Sequence, residues 1–279
     1  MGSWGYDVIK PLLDRTFPHT NISYDTTKPP TLVVKSHFAN HERHASYDCP
    51  YITWSGESYR VRHNTDAPIL EINTVQDVAE RSVWIPYLVV VHETIQRPEP
   101  NLAKEWCCSF AYTNRVRHRE QLFHRLRSLE PTCYAFGSSC RTTDNPFTPP
   151  TSGWHNNHLL FNKFGFNVAM ENCVAPGYTT EKIGFAFKSG SVPIYWGAAT
   201  AKEFFNPASF LDVSDFSTPE AAADYAVELW KDPQKLQKYL DAPIRANTLL
   251  ADYEAVRTEY RPWQQPFITW MHEAFPDLH

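Results

Sequence analysis

Residues 166–197 read FNVAMENCVAPGYTTEKIGFAFKSGSVPIYWG, and the fold is decided there. A short apolar run, Phe166 to Met170, breaks off into an acid and an amide, Glu171 and Asn172. Pro176 and Gly177 form a turn signal. Tyr178, Thr179, Thr180, Glu181 and Lys182 then open a helix-like stretch ending at Gly190, and a second buried-looking run, Val192 to Tyr195, stops at Gly197. The order is strand, loop, helix, strand, with the polar residues at the strand's carboxyl end. In open α/β sheets that is where ligands bind. A helix N-terminus there offers unpaired N–H groups and partial positive charge, a match for a diphosphate. Lys182 adds a full charge, and Glu181 can accept hydrogen bonds from sugar hydroxyls.

The stretch resembles the donor-binding motif of the family-10 α1,3/α1,4-fucosyltransferases, inverting enzymes of the GT-B architecture. That motif runs from a strand ending in Glu-Asn through Tyr-x-Thr-Glu-Lys and a helix to a proline-bearing strand closed by Gly. Glu171-Asn172, Tyr178 to Lys182 and Val192 to Gly197 follow it in order and spacing, and the likeness continues through Phe204 to Pro207 and Ser209 to Phe216. The resemblance implies an α/β protein of two Rossmann-like domains facing a central cleft. The acceptor site would lie in a shortened first domain, 1–98, and the nucleotide sugar in a second, 99–261. Residues 262–279 would pack back on the first.

Composition agrees with an enzyme of this class. The chain has 279 residues, 42% hydrophobic and 14% aromatic, enough for a substantial core. Its 26 basic and 31 acidic side chains are mixed along the sequence, giving a net charge of −5 and no reason to expect a nucleic-acid partner. No run approaches the ~18 apolar residues of a transmembrane helix, and MGSWGYDVIK lacks the pattern of a signal peptide. A soluble, cytoplasmic protein is expected (host cytoplasm for a viral member), similar to the compact bacterial and viral members of the family. The sequon Asn21-Ile22-Ser23 fits the alternative, the lumenal domain of an anchored enzyme. Six cysteines without a Cys-x-x-Cys pair read as buried free thiols.

The first half is irregular. Strands are expected at Thr31 to Lys35, Tyr51 to Trp54 and Ile69 to Ile72, then a helical or mixed run from Val75 to Val91, and a linker at Gln96 to Lys104. The second half alternates: a strand from Trp106 to Tyr112, a helix from Val116 to Leu129, a strand from Thr132 to Phe136, a short helix from Asn157, the motif, and a helix over Pro219 to Trp230. Such alternation predicts a parallel sheet covered by helices.

Inverting glycosyl transfer needs a base for the acceptor hydroxyl and positive charge for the departing diphosphate. No Asp-x-Asp motif follows a strand, so side-chain cations and helix N–H groups are expected to replace a metal, a divalent ion being stimulatory at most. Asp212 and Asp215 fit the resembled structural pattern instead. Glu57 follows the strand Tyr51 to Trp54 in a glycine turn and matches the Gly-Glu-Asn element to which the family assigns its base, with Ser58 in place of Asn. Arg119, followed by Phe123, Leu126 and Glu130-Pro131, matches the family's diphosphate-binding Arg, with Arg115 and Arg117 as rivals. The resemblance gives Tyr178 contact with the nucleotide, Asn172 positioning of the donor, Glu181 hydroxyl contacts and Lys182 the diphosphate. Trp54, Tyr59 and His37 are candidate acceptor residues, with Trp84 as another aromatic, although core packing is open for each aromatic. His37, His41 and His44 recur at helical spacing; a metal face is one reading and a structural or acceptor role the other. The expected donor is GDP-fucose and the partner an oligosaccharide acceptor. UDP-xylose with the same mechanism is the first alternative, and an inactive glycan-binding module the second. Phe185 departs from the polar residue that related sequences often place past the Lys, which bears on sugar identity.

Overall fold

The computed structural model describes residues 4–23, 27–36, 47–58, 67–76, 81–91, 94–146 and 157–278. They form two compact units, Met1–Glu93 with Ala175–Tyr178 and Leu249–His279, and Thr94–Val174 with Thr179–Thr248.

The first unit carries strands β1 (Val33–Ser36), β2 (Tyr51–Ser55), β3 (Ile69–Asn73) and β4 (Ser82–Trp84) in one parallel sheet of order β1-β2-β3-β4. β2 is buried along its whole length, as expected of a parallel strand covered on both faces. Its helices are α1 (Trp4–Thr16), α2 (Tyr87–Val91), α9 (Leu249–Glu254) and α10 (Gln265–Ala274). The run from Val75 to Val91, expected helical or mixed, contains β4 and then α2. Pro86 separates them, because a proline cannot donate a hydrogen bond yet is tolerated where a helix begins. The C-terminal return to this unit begins at Leu249, ahead of Pro262. Arg257 anchors it by donating to the Val89 and Val90 carbonyls, each at 2.8 Å.

The second unit is built on β5 (Trp106–Phe110), β6 (Cys133–Ala135), β7 (Phe164–Met170), β8 (Val192–Trp196) and β9 (Leu211–Asp212), all parallel, in the order β6-β5-β7-β8-β9. Helices α3 (Arg117–Leu129), α4 (Asn157–Phe161), α5 (Glu181–Lys188), α6 (Ala201–Phe204), α7 (Pro219–Trp230) and α8 (Pro233–Asp241) flank it. β7 is buried at every position, and the core gathers Phe110, Leu122, Phe123, Leu126, Phe166, Val168 and Ile194. The stretch Gln96 to Lys104, read as a linker, is tied to this unit. Arg97 donates to the carbonyls of Tyr239 (2.7 Å), Leu240 (2.9 Å) and Ser209 (2.9 Å), and its guanidinium lies over Phe187.

All six cysteines are free, with Cys107, Cys108 and Cys133 fully buried. Among the described residues, no helix is long and apolar enough to cross a membrane.

Candidate functional site

The second sheet reverses its winding between β5 and β7: the chain steps outward to β6 on one side and to β8 and β9 on the other. Such a switch point, at the carboxyl ends of the strands, is where doubly wound sheets bind ligands. The first turns of α3 and α5 follow these two strands, and the motif residues collect there.

Glu171 is the centre of the arrangement. Its main-chain N–H donates to the Trp196 carbonyl at 2.7 Å, prolonging the β7–β8 pairing. Its carboxylate is fully buried. Oε1 accepts from the Thr180 N–H (2.8 Å), the Thr180 hydroxyl lies 2.9 Å from either oxygen, and Oε2 accepts from Lys182 Nζ (3.0 Å). Burial raises the Glu171 carboxyl above its usual range, with Lys182 opposing that effect. Lys182 Nζ also donates to Thr180 Oγ1 at 2.8 Å and lies 3.6 Å from Glu181. Its side chain keeps 19% of its surface exposed, so Lys182 is held in place without being sealed in the core.

The expected helix opening at Tyr178 is corrected to Glu181, with Thr180 as the N-cap residue. The Thr180 side chain does not cap the helix, being engaged by Glu171 and Lys182.

Arg119, expected to grip a diphosphate, is fully buried. Its guanidinium sits 3.7 Å from the Tyr112 ring centroid, a close cation–π contact. Nη2 donates to the Met170 carbonyl (2.8 Å) and to Asn172 Oδ1 (2.9 Å). Nε and Nη1 have no hydrogen-bond partner among the described residues. Arg119 therefore braces the end of β7 and aims the exposed Asn172, whose amide N–H groups are what it can offer a ligand. Tyr112 completes the brace by donating to the Val168 carbonyl (2.8 Å) and accepting from the Met170 N–H (2.9 Å). Burial pushes its phenol up to about 12, so it stays neutral.

Family membership follows from a match over residues 100–256, more than half of the chain, to the model of glycosyltransferase family 10 (fucosyltransferase), C-terminal part. The chain belongs to family 10. Among its relatives, the alpha-(1,3)-fucosyltransferase FucT of Helicobacter pylori is 36% identical over 109 residues, 38% of this chain and 21% of that protein. An alpha-(1,4)-fucosyltransferase of Arabidopsis thaliana is 37% identical over 87 residues, covering 31% and 22%. GDP-fucose protein O-fucosyltransferase 3 of Xenopus laevis is 31% identical over 91 residues, covering 32% and 19%. The aligned segments thus span about a fifth of each of these relatives. A crystal structure of an alpha1,3-fucosyltransferase with GDP-fucose superposes with a TM-score of 0.64 at 18% identity, covering 96% of this chain and 98% of that one. The fold is of the GT-B type, with two Rossmann-like units.

The remaining candidates of this family-10 chain divide between the units. Tyr178, expected against the nucleotide, is buried in the first unit, in the turn where its N–H donates to Ala175 O at 3.0 Å. Gly177 in that turn has φ +75°, and a Cβ there would lie 2.7 Å from Trp84 Nε1. Glu57 is half-buried at the carboxyl end of β2; its N–H donates to Ser55 Oγ (3.3 Å) and its carbonyl accepts from Thr74 Oγ1 (3.0 Å). Trp54, read as either an acceptor platform or core, is buried and stacks on Tyr87. Trp84 donates its indole N–H to the Thr74 carbonyl at 3.2 Å and meets Tyr253 edge-on. Tyr59, His37, His41 and His44 lie outside the described residues. Phe185 is buried and its ring stacks on that of His158. Lys202 bridges Asp212 (3.0 Å) and Asp215 (2.8 Å), a structural pairing.

Glu171, Thr180 and Tyr112 were not among the predicted site residues. For Glu171 the signal was present: a lone acid at the end of an apolar strand, ahead of a Thr-Glu-Lys helix start, is placed to meet that helix.

Proposed function

We propose that this chain is an inverting fucosyltransferase, moving L-fucose from GDP-fucose onto a hydroxyl of a glycan acceptor without an essential metal. The observation that carries this reading is the Glu171–Thr180–Lys182 cluster, at the switch point of a chain that belongs to family 10. As the glycosidic bond of the donor breaks, negative charge grows on the leaving diphosphate. Lys182 and the first-turn N–H groups of α5 are preorganised to stabilise that charge, which lowers the barrier without any rearrangement. Asn172, aimed by Arg119, orients the donor, and Glu181 accepts from ribose or sugar hydroxyls.

Glu57 takes the acceptor proton as the new C–O bond forms. Its main chain is pinned on both sides by Ser55 and Thr74, so the carboxyl emerges from a fixed turn. The UDP-xylose alternative gains no support from relatives whose names are those of fucosyltransferases. A protein hydroxyl as acceptor is a second reading, motivated by the likeness to a protein O-fucosyltransferase.

The test is direct. Purified protein is incubated with GDP-fucose and a panel of oligosaccharides and folded protein acceptors, and the product is examined by NMR. Transfer with inversion at the anomeric carbon is expected. Transfer with retention, or from UDP-xylose in preference to GDP-fucose, would overturn the proposal.

A further inference from the structure

Next to Arg119, on the first turn of α3, stands a group with no role so far. The His118 ring lies 3.9 Å from the Trp196 ring, centroid to centroid, at the carboxyl end of β8. Its Nε2 is buried and has no hydrogen-bond partner among the described residues. The same holds for Nε and Nη1 of the fully buried Arg119. Three nitrogen sites without partners thus belong to consecutive residues beside the switch point, on the N-terminal turn of a helix whose N-cap residue, Val116, makes no side-chain cap. Buried guanidinium donors without an acceptor are costly, so Nε and Nη1 of Arg119 call for an acceptor from outside the fold, one that His118 Nε2 can also meet once it is protonated. At a helix N-terminus that acceptor is an anion.

We propose that His118 is a donor-site residue that becomes imidazolium when the nucleotide sugar binds, its Nε2–H donating to a diphosphate oxygen beside Arg119. This rests on the reading of the site as a GDP-fucose site. Without ligand the imidazole is held neutral: burial lowers its pKa first and the Arg119 charge second, with the Glu171 main chain opposing. A dianion reverses the balance, because it compensates Arg119 and rewards a second positive charge. Binding should therefore draw a proton from solvent. The groups facing the ring are Arg119 on its own helix, the Glu171 main chain at the end of β7, and the uncharged Trp196 on β8. The nearby carboxylate of Glu171 is engaged by Thr180 and Lys182.

The experiment is calorimetric titration with GDP-fucose at pH 7 in two buffers of different ionisation enthalpy. A diphosphate diester does not itself titrate in this range, so proton uptake reports the protein. Wild type should take up a substantial fraction of a proton, and its affinity should fall by about ten-fold from pH 5.5 to 8. His118→Gln and His118→Phe, the second keeping a ring against Trp196, should take up no proton, and their affinity should no longer change between pH 5.5 and 8. Wild-type binding without uptake, or uptake that persists in both variants, overturns the role of His118 and leaves the donor site standing. Failure of wild type to bind GDP-fucose at any pH removes both.

Discussion

Lys182 is engaged within the fold before any ligand arrives, and this changes what its removal should do. The ammonium is fixed by the buried Glu171 carboxylate and the Thr180 hydroxyl, so no side-chain freedom is lost when it meets a phosphate. Lys182→Ala should weaken GDP binding by roughly ten- to a hundred-fold, the worth of one charge-assisted contact. Unchanged affinity in a folded variant would make Lys182 a structural counter-ion only. Glu171 carries a pH signature. Burial holds its folded-state pKa above that of the unfolded chain, so the folded protein binds more protons in that window. Its contribution to stability is complete below the unfolded value, about 4.3, and is lost as pH rises through the folded one. Glu171→Gln should flatten that decline in a series of melting temperatures against pH, while costing about 1–3 kcal/mol through the lost partner of Lys182. An unchanged slope would mean that the carboxyl titrates normally.

At the scale of elements, the strand–helix–strand unit of the motif holds together through close approach. A Cβ on Gly197 would collide with Tyr195 Oη and lie 2.8 Å from Glu171 Cγ. Gly197→Ala should therefore displace the Glu171 carboxylate, destabilise the protein by about 1–3 kcal/mol and weaken nucleotide binding. Chemical denaturation and titration with GDP check both; a neutral substitution would show that the end of β8 yields freely. This region was legible in sequence because its apolar runs alternate with turn residues, and α7 was expected over the range it occupies, Pro219 to Trp230. The start of α5 was displaced because Thr180 faces Glu171 instead of capping, a tertiary contact that no local pattern reports. α1 went unread although Val8, Ile9, Leu12 and Leu13 share one buried face; Pro11 within it masks the helical signal. The burial of Arg119 is not legible in sequence, because it depends on Tyr112, in the loop after β5, and on Met170 at the end of β7.

At the scale of the whole molecule, the proposed base, Glu57, belongs to the first unit and Lys182 to the second. Glu57→Gln should then lower turnover by roughly two or more orders of magnitude and leave GDP affinity nearly intact, since an amide keeps the shape but cannot take a proton. Near wild-type turnover would return Glu57 to the role of a turn residue and send the search for a base to Glu42, Asp48, His37 and His41. The claim that the protein uses GDP-fucose is tested most directly by thermal shifts with GDP, GDP-fucose, UDP and UDP-xylose, each with and without EDTA, because a ligand that binds only the folded state raises its melting temperature. GDP and GDP-fucose should stabilise the protein to the same extent with and without EDTA, and the uridine nucleotides should have little effect. Stabilisation by UDP-xylose alone, or a GDP effect abolished by EDTA and restored by Mn²⁺, would contradict it.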